Sequence, residues 1–122
     1  MKPLTQSLLN YLKTLTGVQL DLVLEEAPAL PLFLRTRYDI CSIKLFGRRF
    51  LLALETGAPD SPSVYESQTT TLSRHLGEPV TVVVPALPSS ARNRMIQRGI
   101  PFIVPGSQTF LPTALIDLRE RQ

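Results

Sequence analysis

The sequence predicts a single α/β (α+β) domain, in which helices pack on a mixed β-sheet. Segments with apolar residues at helical spacing alternate with short apolar segments bounded by glycine and proline, the pattern of helices and strands that share a core. The 122 residues match one ordinary domain, and the 43% hydrophobic content is enough to form a core. We therefore expect residues 1–122 to form one domain.

The first half of the chain predicts a helix and three strands that form an antiparallel meander. Leucines at helical intervals predict the helix, which Pro3 can begin and Gly17 can end. Alternating leucines predict the first strand, and the prolines of 26–31 predict a connection after it. Gly47 supplies the turn of a hairpin. The expected elements are a helix over Pro3–Thr16, a strand over 18–25, and a hairpin of 38–46 with 49–55.

The second half predicts helices that alternate with strands. Ser61 and Pro62 can cap and begin a helix that ends at Leu76. A valine-rich strand over 79–85, a short helix over 90–98 and a strand over 100–104 form a segment long enough for a parallel βαβ crossover. A further strand over 108–111 follows, and the tail, 112–122, is expected to leave the domain as a short strand or helix.

Composition restricts the compartment and the kind of partner. Cys41 is the single cysteine, which excludes an internal disulfide and favours a reducing, cytoplasmic environment. No apolar run approaches the roughly 18 residues that a membrane helix needs, so we expect no membrane contact. The net charge is +3 and ten of the thirteen basic residues are arginine, a bias that suits contact with anions but also fits a mildly basic surface.

Motifs of common catalytic chemistry are missing from the sequence. His75, the single histidine, falls late in a predicted helix, and no G-x-S-x-G segment offers it a nucleophile. The six glycines contain neither phosphate-loop pattern. We therefore expect a protein that is not an enzyme and has no cofactor or metal.

The predicted order of helix, three-strand meander, helix and strand resembles the restriction-endonuclease-like core. That resemblance implies a metal-dependent nuclease in which acidic residues on the second and third strands hold a divalent cation and a lysine follows. Asp39 and Glu55 stand at the two acidic positions, whereas Gly57 stands at the lysine position. The triad is therefore incomplete, and the resemblance favours an inactive, scaffold-like version of the core.

Arginines form the best candidate site for nucleic acid or another anion. Arg92, Arg94 and Arg98 lie in one short predicted helix, with Arg94 and Arg98 one turn apart on the same face. Arg48 and Arg49 add two charges at the hairpin. These residues could contact phosphates or an acidic partner, or they could form a solvated helix face.

A segment near the C-terminus, IPFIVPGSQTFLP at 100–112, carries a second resemblance together with the residues from Arg92 that precede it. It resembles the end of the N-terminal domain of bacterial MarR-type (multiple-antibiotic-resistance regulator) transcriptional regulators. The resemblance implies that a winged-helix DNA-binding segment follows such a domain, so this chain is expected to be either the N-terminal part of a longer regulator or a stand-alone version of that domain. Gln108, directly after the turn, is expected to satisfy loop backbone groups or to contact a ligand.

Three functions follow as hypotheses. The first is a non-catalytic regulatory or interaction domain of a bacterial transcription regulator, which reaches DNA through an adjacent domain. The second is the nuclease-like domain that uses Asp39 and Glu55. The third is an interaction module that forms a homodimer through an exposed strand edge.

Overall fold

The computed structural model describes residues 2–45, 47–112 and 116–119. Within these residues the chain forms four helices and one seven-stranded mixed sheet, which is the predicted α+β class. The helices are α1 (Pro3–Thr16), α2 (Leu32–Arg37), α3 (Pro62–Leu76) and α4 (Ser89–Gln97). The strands are β1 (Val23–Leu24), β2 (Tyr38–Leu45), β3 (Arg48–Glu55), β4 (Val80–Val83), β5 (Phe102–Val104), β6 (Gln108–Leu111) and β7 (Ile116–Arg119).

The strands lie in the sheet in the same order as in the chain. The pairs β1–β2 and β2–β3 are antiparallel, which confirms the predicted meander. The pairs β3–β4 and β4–β5 are parallel, so that α3 and α4 each form the helix of a βαβ crossover. The pairs β5–β6 and β6–β7 are antiparallel again. A parallel centre therefore lies between two antiparallel edges.

Helices cover both faces of the sheet and form two hydrophobic layers. One layer combines buried residues of α2, α3 and α4, such as Leu34, Tyr65 and Met95, with one face of the strands. The other combines Leu8 and Leu12 of α1 with the opposite face. The alternation of side chains along a strand accounts for this division, because neighbouring strand residues point to opposite faces. Burial on both faces explains why β3 and β4 have nearly continuous apolar sequences.

The two long helices begin and end where the sequence predicts. Each helix has proline in its first turn, where a backbone N–H would have no hydrogen-bond partner within the helix, so the N–H that proline lacks is not needed. The hydroxyl of Ser61 accepts a hydrogen bond from the backbone N–H of Val64, which caps α3. Gly17 and Gly77 end the helices with φ of 73° and 75°, a conformation that glycine adopts without steric cost.

The structure corrects the prediction at three places. Of the strand predicted over 18–25, Val23–Leu24 forms the ladder with β2, and the Glu25 N–H donates to the Ile40 carbonyl at 2.9 Å. Leu20 and Leu22 pack on the α1 side of the core without joining the ladder. Helix α2 was not predicted, because its six residues are too few to show a helical period. The tail does not leave the domain at β7, which pairs with β6. Phe46, 113–115 and 120–122, which the predicted hairpin and tail include, lie outside the described residues.

No helix of the described residues combines the length and the apolar character needed to cross a bilayer.

Candidate functional site

A cavity of about 430 Å³ opens at the edge of the sheet where the parallel strands end. Its volume lies in the usual range of small-molecule sites, roughly 300–1,000 Å³. The crevice beyond the carboxyl ends of parallel strands is also where α/β sheets commonly bind ligands. The lining comes from the start of α1, the ends of β3, β4 and β5, and β2: Lys2, Pro3, Leu4, Thr5, Ser7, Asp39, Leu54, Glu55, Thr56, Gly57, Pro85 and Pro105.

Proline keeps this edge of the sheet open. Pro85 and Pro105 lie directly after the hydrogen-bonded ends of β4 and β5. Just before Pro85, the Val84 N–H donates to the Ile103 carbonyl at 3.0 Å. Proline has no N–H to extend a ladder, so pairing cannot continue past these residues. The strands therefore end together, and α1 begins beside them.

The cavity combines apolar walls with a few polar groups. Leu4, Leu54 and the two prolines supply apolar surface, and Thr5 and Ser7 supply hydroxyls. The Lys2 ammonium is mostly exposed and lies 2.6 Å from the Asp39 carboxylate. Walls of this kind bury the body of a small organic molecule, and the polar groups fix its orientation.

A buried carboxylate, Glu55, lies at the end of β3. Its side chain has no exposed surface. One oxygen, Oε2, accepts hydrogen bonds from the Tyr65 hydroxyl at 2.6 Å and from the Arg37 guanidinium at 2.8 Å. The other oxygen, Oε1, has no hydrogen-bond partner among the described residues. Burial raises the pKa of Glu55, and the Tyr65 hydrogen bond and the Arg37 charge oppose that rise.

Two tyrosines and a glutamine extend this polar cluster. Arg37 donates to the Tyr38 hydroxyl at 3.2 Å, and that hydroxyl donates to Gln68 at 2.5 Å. The guanidinium lies over both tyrosine rings, 5.4 Å from the Tyr38 centroid and 5.9 Å from that of Tyr65. Burial raises the pKa of both tyrosines, and for Tyr65 the hydrogen bond to Glu55 adds to the effect. The cluster therefore joins α2, β2, β3 and α3 through buried and partly buried hydrogen bonds.

Asp39 and Glu55 do not form the pair that the nuclease hypothesis requires. In the β2–β3 register Asp39 faces Leu54, so the side chain of Glu55 points to the opposite face of the sheet. Their contacts agree, because Asp39 binds Lys2 beside α1 whereas Glu55 binds Tyr65 of α3. The described part of the chain contains no group of three or more His, Cys, Asp or Glu side chains placed to hold a metal ion.

The predicted arginine site is divided among separate contacts. Arg98 binds Glu66 at 2.8 Å, and Arg49 binds both Glu25 at 2.7 Å and Glu78 at 2.6 Å. Arg48 stacks over Phe50 at 5.8 Å, and the buried Nε of Arg92 has no partner among the described residues. Arg94 is exposed. Arg98, directly after α4, and Arg49, on β3, are therefore each engaged by acids of the same chain.

Gln108 is buried and serves the structure of the sheet. Its side-chain amide donates to the Asp117 carboxylate at 2.7 Å, which links β6 to β7. This partner is a neighbouring strand rather than the loop backbone that we predicted. His75 lies exposed in the last turn of α3.

Sequence reasoning missed Arg37, Tyr38, Tyr65 and Gln68. No motif connects them, because Arg37 and Tyr65 are 18 and 10 residues from Glu55 along the chain. Comparison of the chain with family models, curated proteins and solved structures finds no match.

Proposed function

We propose that this chain is a non-catalytic regulatory domain of a bacterial transcription regulator, which holds a small ligand or a partner beside a DNA-binding unit. The resemblance of 100–112 to MarR-type regulators supports the regulatory part of the proposal. The cavity at the carboxyl edge of β3–β5 supports the ligand-holding part and is the observation that carries it.

The two acidic residues of the cavity lining favour binding over acid–base catalysis, since the side chain of Glu55 points to the opposite face of the sheet from Asp39. A general acid or base must reach the reacting atoms and exchange protons with them. The side chain of Glu55 is wholly buried in contacts with Arg37 and Tyr65, and Asp39 is engaged by Lys2. What the cavity offers a ligand is mainly apolar surface with hydroxyl groups.

A fragment screen monitored by protein NMR tests ligand binding at this cavity. We expect small molecules with an apolar body and one polar end to shift the methyl signals of Leu4 and Leu54. Thr5→Trp should fill the cavity and abolish the shifts, whereas Thr14→Trp, further along α1 and outside this cavity, should preserve them. Fragments that bind both variants equally well would refute the ligand site.

The DNA-binding neighbour can be tested separately. If the reading frame of the gene continues from codon 122 into a winged helix, the regulatory assignment gains support. If it continues into an unrelated domain, that assignment is wrong even where the cavity binds ligands.

A further inference from the structure

Large apolar side chains are exposed at the β1 edge of the sheet and on the neighbouring helix α2. Val23 and Leu24 of β1 are 57% and 72% exposed, and Leu32 and Phe33 of α2 are 66% and 59% exposed. We refer to these four residues as the β1–α2 patch. Single exposed apolar residues are ordinary, but grouped ones mark interaction surfaces.

Leu24 of β1 and one side of α2 belong to one surface. Leu24 and Arg35 line the same groove, which has a volume of about 350 Å³. Leu32 is three residues from Arg35 on α2 and therefore lies on the same side of that helix. The groove thus connects Leu24 to the Arg35 side of α2, whereas Val23 points to the opposite face of β1 and lines a different groove.

The exposed apolar side chains supply part of the area that a dimer interface needs. Together the four side chains expose on the order of 500 Å² of mostly apolar surface, less than the roughly 800 Å² that each partner buries in a standard interface. The open edge of β1 adds backbone groups, because β1 is the first strand of the sheet and pairs on one side with β2. Two edge strands that pair antiparallel are related by a two-fold axis, which is the symmetry of a homodimer.

The charges around the groove favour a second copy of this chain as the binding partner over a partner whose surface is uniformly acidic or uniformly basic. Glu26 and Arg35 both line the groove, and neither forms an ion pair within the ranges that the structure describes. In a two-fold interface the same surface meets itself, so that Glu26 of each copy can meet Arg35 of the other. A surface that carries both signs is complementary to itself in this way.

We propose that the β1–α2 patch is a homodimer interface, in which two β1 edges pair antiparallel and Glu26 of each copy contacts Arg35 of the other. This interface lies apart from the ligand cavity at the ends of β3–β5, and the proposal does not depend on that cavity.

Sedimentation equilibrium of the purified chain tests the proposal. We expect the mass of a dimer, and we expect Leu24→Lys to raise the dissociation constant by about tenfold or more, since it places a charge in an apolar contact. Arg35→Glu should weaken the dimer as well, and the double variant Glu26→Arg/Arg35→Glu should restore it, because the pair is only exchanged. Gln97→Lys adds the same charge as Leu24→Lys on the exposed side of α4 and should leave the dimer unchanged.

Three results would overturn the proposal. They are a monomer up to millimolar concentration, a dimer that Leu24→Lys and Arg35→Glu leave intact, and a double variant no stronger than Arg35→Glu alone. Loss of fold does not confuse the outcome, because Leu24 is 72% exposed and the restoring double variant must itself fold to dimerise.

Discussion

The hydrogen bond from Tyr65 to the Glu55 carboxylate makes a quantitative prediction about stability. Tyr65→Phe removes one hydroxyl from the core and leaves the ring in place. The variant loses the 2.6 Å bond to Oε2 of Glu55 and the 2.9 Å bond that the hydroxyl accepts from the Asp60 N–H. A bond to a charged group contributes about 1.5–3 kcal/mol and a neutral bond about 0.5–1.5 kcal/mol. We expect the free energy of unfolding to fall by about 2–4 kcal/mol in total.

A double-mutant cycle with Glu55→Gln separates the charged bond from the rest. In the glutamine background the tyrosine still accepts from Asp60, so that contribution cancels from the cycle. What remains is the difference between a hydroxyl–carboxylate bond and a hydroxyl–amide bond, about 1–2 kcal/mol. We therefore expect Tyr65→Phe to lower the free energy of unfolding by about 1–2 kcal/mol less in the Glu55→Gln background than in the wild type.

Urea denaturation followed by circular dichroism measures each corner of the cycle at pH 7. The slopes of the four transitions should agree, which would show that the variants change stability rather than the exposed surface. A coupling energy of zero within error would refute the argument, since it would mean that Glu55 does not accept a charge-assisted bond from Tyr65 in solution.

Three further predictions follow from burial and backbone geometry. Because burial raises the pKa of Glu55, the folded state favours the neutral carboxyl more than the unfolded state does. The stability of the wild type relative to Glu55→Gln should therefore be greatest below the ordinary pKa of a glutamate and should decline as the pH rises through the raised pKa; urea titrations between pH 4 and 7 measure this. Gly77→Ala should lower the free energy of unfolding by about 1 kcal/mol, because its φ of 75° suits glycine and not alanine, and a gain in stability would contradict this. Met95→Ala should lower the free energy of unfolding by about 2–5 kcal/mol because Met95 is fully buried. Leu24→Ala, at an exposed position, should change the free energy of unfolding of the monomer by less than about 0.5 kcal/mol, and thermal melts of the two variants measure the difference.

How well the sequence predicts each element depends on how local its signals are. Helices α1 and α3 have proline in the first turn and glycine after the end, and both signals act within a few residues, so their bounds are predicted correctly. The bounds of strands depend on pairing with distant residues. The leucines before Val23 alternate as in a strand, yet they pack on the core without pairing to β2.

The candidate site was less predictable than the fold. Glu55 is visible in the sequence as an acidic residue after an apolar strand, and the nuclease hypothesis assigned it to metal binding. The structure shows instead that it accepts bonds from Tyr65 and Arg37, which no pattern of spacing reveals. Pro85 and Pro105 mark the ends of strands in the sequence. The sequence does not show that these ends lie together beside α1, because their position depends on the order of the strands in the sheet.

The segment that resembles MarR-type regulators, 100–112, also helps to build the cavity. Pro105 lines the cavity directly. Thr109 of β6 donates to the buried hydroxyl of Tyr11 at 2.9 Å, and so helps to hold α1, whose first turn forms another part of the lining. A ligand that contacts the start of α1 would therefore act on the same helix that β6 holds, and β6 leads through β7 toward the C-terminus. In the proposed regulator, contacts thus connect the cavity lining on α1 to β6 and β7, the strands that precede the position where the resemblance implies a DNA-binding unit.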